Sequence, residues 1–131
     1  MPGAKPAAAA RTDALLRGTL DLLILRSLRG VERHGYGIAE WIEAATGDEL
    51  RILEGTIYPA LHRMEKRGWI RSQWGPSENN RRAKFYALTE EGERRQEDEL
   101  DRWRRYAAAM ERALAVAVEV APRSGATVPA T

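Results

Sequence analysis

The chain has 131 residues, with 21 Lys and Arg against 19 Asp and Glu for a formal charge of +2, and no cysteine. That length holds one modest core with an extension, and the absence of thiols excludes disulfides, thiolate zinc sites, a catalytic thiol and cysteine redox sensing while suiting a reducing cytoplasm. No apolar run approaches the roughly 18 residues of a membrane helix, and the Leu-rich stretch near the start is broken by Arg17, Asp21 and Arg26, which argues against a signal peptide and for a cytoplasmic protein.

Residues 1–11 combine Ala with Pro, Gly and a lone Lys and read as a disordered tail with nothing to bury. Thr12 or Asp13 then caps a helix whose Leu16, Leu20, Leu23, Ile24 and Leu28 share one face up to Gly30. Leu15, Leu22 and Leu25 make a second apolar side, for which a dimer partner is the expected cover. Residues 31–34 connect to a second helix led by Gly35, Tyr36 and Gly37, carrying Ile38, Trp41, Ile42 and Ala45 and stopping at Gly47. His34 reads as a local cap or packing residue rather than a metal ligand, because no second ligand lies nearby in sequence. Residues 48–53 form a short strand or an extended link, with Leu50 and Ile52 inward.

The third helix is expected from about Thr56 to Arg67, with Pro59 in its first turn and Gly68 at its end. Ile57, Leu61 and Met64 recur at steps of four and three and gather on one face. Tyr58, His62, Arg63, Lys66 and Arg67 are left to the solvent side, which suits a major groove. Residues 69–74 then read as a strand, 75–80 as a turn, and 81–88 as a returning strand with a basic start. From Arg51 to Leu88 eight cations face three carboxylates, a net of +5 against +2 for the whole chain. Charge runs are usually solvated faces. Here the concentration on one helix and hairpin, in the order helix, Gly, strand, turn, basic strand, favours a phosphate-binding surface.

Beyond the hairpin Thr89 caps a long helix with Glu90, Glu91 and Glu93 in its first turns, where carboxylates oppose the helix dipole. Leu100, Trp103, Ala107, Met110, Leu114, Ala117 and Ala121 alternate steps of three and four, a heptad seam. The stretch from Thr89 to Ala121 holds nine acids and six bases, so it is a dimer arm rather than a second DNA surface. Residues 122–131 are a loose tail. The domains expected are thus a tail (1–11), a winged helix-turn-helix (12–88), a dimerisation helix (89–121) and a second tail.

The segment Gly55-Thr56-Ile57-Tyr58-Pro59-Ala60-Leu61-His62-Arg63-Met64-Glu65, with Gly68-Trp69-Ile70, Trp74-Gly75, Arg81-Arg82, Tyr86 and Leu88-Thr89-Glu90-Glu91-Gly92, resembles the PadR family of bacterial transcriptional regulators. The likeness extends upstream through residues 16–20 and 34–38 and covers about residues 15 to 115. It departs at Leu53, where the family often has Ser or a similar cap, so the start of the recognition helix is open by a few residues.

The fold class that follows is mostly α with a small β-hairpin: a winged helix-turn-helix with a long C-terminal dimerisation helix. The function that the resemblance implies is a repressor binding double-stranded operator DNA as a homodimer on a near-palindrome, with half-sites roughly 34 Å apart or a multiple. The expected DNA-binding residues are Thr56, Tyr58, Pro59, His62, Arg63, Lys66, Arg67, Asn80, Arg81, Arg82 and Lys84. Arg63 is the expected guanine reader and Lys66, Arg67, Arg81, Arg82 and Lys84 hold phosphates, while Asn79 and Asn80 carry the wing tip to the minor groove. Tyr58 reads equally as a contact or as a half-buried core ring. Leu100, Trp103, Ala107, Met110 and Leu114 are the dimerisation residues. The resemblance also implies a small aromatic effector in some short members, stacked on a Trp where Trp103 stands; a seam Trp is more often packing than pocket. No cofactor, metal or membrane is expected. Enzymatic chemistry is not expected either, since His34 and His62 share no motif and no phosphate-cradling Gly loop exists. A winged helix without DNA affinity, serving protein interaction, is the alternative, against which the +5 segment argues.

Overall fold

The structure, a computed structural model, describes residues 18–116. The chain divides into two compact units, one ending at Glu99 and one beginning at Leu100. In chain order the elements are α1 (Leu20–Ser27), β1 (Arg33–His34), α2 (Gly35–Ala45), α3 (Glu54–Lys66), β2 (Ile70–Pro76), β3 (Arg82–Leu88) and α4 (Glu90–Ala115). The tails, the cap expected at Thr12 or Asp13, and Leu15, Leu16, Ala117 and Ala121 lie outside the described residues. Among the described residues no helix is long and apolar enough to cross a membrane.

Three helices and the sheet close one core in the first unit. Ile24 and Leu25 of α1, with Leu28 just beyond its end, meet Ile38 and Ile42 of α2, Ile57, Leu61 and Met64 of α3, and Ile70 and Tyr86 of the sheet. Each fully buried aliphatic of this size contributes roughly 1.5–3 kcal/mol. Leu22 and Leu25 were expected to await a partner, yet both are buried within the chain itself. Apolar spacing alone did not separate a core face from an interface face on so short a helix.

The sheet has three strands rather than the two of a hairpin, in the order β1-β3-β2 and antiparallel throughout. β1 is the stretch read as a plain connection: Arg33 pairs with Tyr86 and His34 with Phe85. Two residues carry too little pattern to announce a strand. Residues 48–53, by contrast, form none. Ile52 is buried and Leu50 half-buried there without a ladder. α2 ends at Thr46, beyond which Gly47 takes the left-handed φ of +60 and donates to the Ala44 carbonyl.

Helix α3 begins two residues before the expected Thr56. The Leu53 carbonyl accepts from both Thr56 N (2.9 Å) and Ile57 N (3.0 Å), so Leu53 with its extended backbone is the cap and its side chain contributes no hydrogen bond. Pro59 is therefore inside the helix, not in its first turn. Its ring has no N–H for the Gly55 carbonyl four residues back. A helical glycine at 55 is itself less favourable than alanine by up to about 1 kcal/mol.

β2 continues through Gly75 and Pro76, which the turn-forming composition had assigned to the loop; Pro76 pairs with Arg82 at the strand's end. The turn is then closed by Ser77 N to Arg81 O (2.7 Å) and Asn80 N to Ser77 O (2.8 Å), with Asn80 at φ +63, a region that Asn tolerates. Thr89 caps α4 as expected: its hydroxyl accepts from Gly92 N (3.0 Å) and lies 2.6 Å from the Gly68 carbonyl, to which it donates. Gly92 is buried, and a Cβ there would run into the Trp69 carbonyl oxygen.

Candidate nucleic-acid interface

Helix α3 buries Ile57, Ala60, Leu61 and Met64. The helical period then turns Gly55, Pro59, His62 and Lys66 most directly outward, and all four are exposed. Thr56 and Arg63 flank this stripe on the α1 side and Tyr58 and Glu65 on the wing side.

The two flanks are pinned to the fold. Arg63 donates from both terminal nitrogens to the Asp21 carboxylate at 2.8 Å, a bidentate pair between α3 and α1. Hydrogen bonding to Asp21 raises the Arg63 pKa above its ordinary value. The carboxylate fills the Nη1/Nη2 fork, so in this chain Arg63 braces two helices, and only the Nε edge of its guanidinium is left for the base reading expected of it. The side chain is 42% exposed, so we expect Arg63→Ala to lower the unfolding free energy by no more than about 1 kcal/mol in urea denaturation. Tyr58, 44% exposed, lies so close over Gly35 that a Cβ at that glycine would sit 2.5 Å from the ring. It is a packing ring with an open edge, as the half-buried reading of Tyr58 has it.

The wing holds its cations in three different ways. Arg81 is exposed at the turn. Arg82 stacks its guanidinium 5.1 Å from the centroid of Trp74, itself 57% exposed. Lys84 pairs with Glu65 of α3 at 3.6 Å, and Glu65 also accepts from Ser72 at 2.6 Å. Lys84 thus ties the wing to α3. Arg67 caps the end of α3 and lies over Trp69 at 5.3 Å, with Arg95 over the same ring at 4.5 Å. Burial, and then Glu65, push the Tyr86 phenol upward.

His34 joins the wing tip to α2. Its Nδ1 accepts from Gly37 N at 2.9 Å, capping the helix, and its Nε2 lies 3.4 Å from Glu78. Its ring also packs on Phe85 at 5.3 Å. With Nδ1 accepting, the neutral ring carries its proton on Nε2 and donates to the carboxylate. The Glu78 carboxyl lies below its ordinary range because its own backbone N–H and then His34 hydrogen-bond to it. Between the start of α2, α3 and the wing runs a groove of about 760 Å³, lined in part by Tyr36, Tyr58, Trp74, Arg81 and Arg82. Tyr36 and Trp74 were not among the expected site residues. A strand aromatic two registers from a basic residue of the partner strand was the signal available for Trp74, whereas nothing in sequence connects Asp21 with Arg63.

In the second unit Trp103, Tyr106, Met110 and Leu114 of α4 are 42%, 58%, 41% and 73% exposed. The Trp103 and Tyr106 rings lie 5.9 Å apart.

The transcriptional regulator PadR-like family matches residues 24–98. An uncharacterized protein of Lysinibacillus sphaericus is 34% identical over 82 residues, 63% of this chain and 74% of its own. Among solved structures, a transcriptional regulator from Clostridium thermocellum is 30% identical, covering 76% of this chain and 96% of its own with a TM-score of 0.68. A PadR-like transcriptional regulator from Bacillus cereus is 25% identical, with 79% and 99% covered and a TM-score of 0.69. Bacillus subtilis PadR in complex with operator DNA is 28% identical, with 63% of this chain and 46% of that one covered and a TM-score of 0.56. The match takes in α2, α3, the wing and the start of α4, and the chain belongs to the PadR-like family of transcriptional regulators.

Proposed function

We propose that this DNA-binding regulator is a sequence-specific repressor that acts in the cytoplasm as a homodimer on a near-palindromic operator. The observation that carries the reading is the arrangement of one exposed stripe on α3, with Pro59, His62 and Lys66, beside a wing that leaves Arg81 and Arg82 exposed. His62 and Lys66 reach base edges in the major groove, and Thr56 meets the flanking phosphate or base edge. Arg81 and Arg82 hold phosphates across the groove, and Asn80 carries the turn into the adjacent minor groove. Tyr58 contributes its exposed edge, and Arg67 and Lys84 add charge nearby while holding the surface in shape.

Pairing through α4 is supported by the exposed Trp103, Met110 and Leu114, which share the heptad seam with Leu100 and Ala107. Repression, and its relief by a flat aromatic effector stacked at Trp103, rest on the family resemblance. The exposed Trp103 and Tyr106 rings supply the apolar faces such a ligand needs.

The test is titration of the chain with a duplex from its own upstream DNA against a scrambled duplex at several salt concentrations. The expected result is a preference of about a thousandfold or more, with two chains per upstream duplex and a steep salt slope. Equal, weak binding to both duplexes would overturn this operator and return the choice to a protein-interaction module.

A further inference from the structure

We propose that Gly55 is a contact position at which DNA comes within van der Waals distance of the α3 backbone, and that any side chain there holds it off. The inference rests on the regulator reading above and adds to it a residue chosen for what it lacks.

The fold gives its helical glycines different reasons to be glycine. A Cβ at Gly35 would strike the Tyr58 ring, and one at Gly92 would strike the Trp69 carbonyl. Gly30, Gly47 and Gly68 have left-handed φ values. Gly55 has neither reason. It is the second residue of α3, it is not among the positive-φ glycines, and a Cβ built on it meets nothing within 4 Å. Alanine would favour the helix there, so the folded chain alone offers no use for the glycine. Among the described helical glycines, Gly55 is the one whose missing side chain leaves room for something outside the chain.

The position says what that is. Gly55 lies on the same outward stripe as Pro59, His62 and Lys66, the part of α3 turned to the groove. Pro59 sits four residues on and has no N–H, so the α-helical donor for the Gly55 carbonyl is missing. With no side chain at that point of the stripe, a base edge or the sugar-phosphate backbone can approach the helix to van der Waals distance. A methyl at residue 55 stands between the helix backbone and that surface.

The experiment is Gly55→Ala in the full chain, measured by thermal unfolding and by the same titration with upstream and scrambled duplexes. The expected result is an unchanged or higher Tm with affinity for the upstream duplex at least about tenfold weaker. Wild-type affinity, whatever the Tm, would overturn the inference while leaving the regulator reading intact, provided the wild-type chain prefers its upstream duplex. A lower Tm would also overturn it, because the glycine would then serve the fold, by making room for the Pro59 ring. If the wild-type chain shows no preference between the duplexes, the regulator reading fails and this contact fails with it.

Discussion

Gly92→Ala is expected to lower the unfolding free energy by about 3 kcal/mol, read as a fall in the urea midpoint at unchanged m-value. The buried glycine presents its Cα to the Trp69 carbonyl oxygen and to the Leu88 side chain, whose Cδ2 would lie 3.2 Å from an added Cβ. Leu88 can turn aside. The carbonyl cannot, because it belongs to the backbone that enters β2 and accepts from Thr89 N at 3.1 Å. Relief requires α4 to lift from the start of β2. That movement loosens the Thr89 cap and the buried Gln96, which accepts from Arg26 of α1 at 3.3 Å. A midpoint within error of wild type would mean that the first turns of α4 do not approach β2 so closely.

Replacing Arg81 and Arg82 together by Gln is expected to weaken binding to the upstream duplex by roughly a hundredfold at 0.15 M salt and to reduce the slope of log affinity against log salt by nearly 2. Both guanidiniums are exposed, and Arg82 keeps its orientation by stacking on Trp74 rather than by a carboxylate that would neutralise it. Lys84→Gln is the informative contrast. Its ammonium already faces Glu65, so its removal should change the slope by well under one unit. Equal slopes for the double variant and the wild type would remove the wing from the DNA surface.

The winged helix was legible because its signals are local. Ile57, Leu61 and Met64 at helical spacing, the Gly68 punctuation, the turn residues after Trp74 and the Thr89 cap with its acidic first turn each need only a few neighbours to be read. β1 escaped because two residues in a ladder hold no periodicity, and its pairing with Tyr86 and Phe85 joins residues far apart in the chain. The candidate surface was legible as a region rather than residue by residue. Charge counting picks out the +5 segment as a whole, but it treats all cations alike. Whether a guanidinium faces water, an indole or a carboxylate is decided by tertiary neighbours such as Asp21, Trp74 and Glu65. The α3 start was missed by two residues for a related reason: backbone carbonyls, here that of Leu53, can cap without help from a polar side chain.

His34 gives the wing a property that its charge does not. One imidazole receives the Gly37 N–H of α2 and offers its other nitrogen to Glu78 in the hairpin turn, so the turn is tethered to the body of the fold at its far end as well as through its strands. A hairpin tip that swung freely would lose conformational entropy on seating against a duplex, and that loss would subtract from affinity. A tethered tip is preorganised: its ordering is completed during folding, and in the proposed complex the separation between wing and helix would act as a ruler set before DNA arrives.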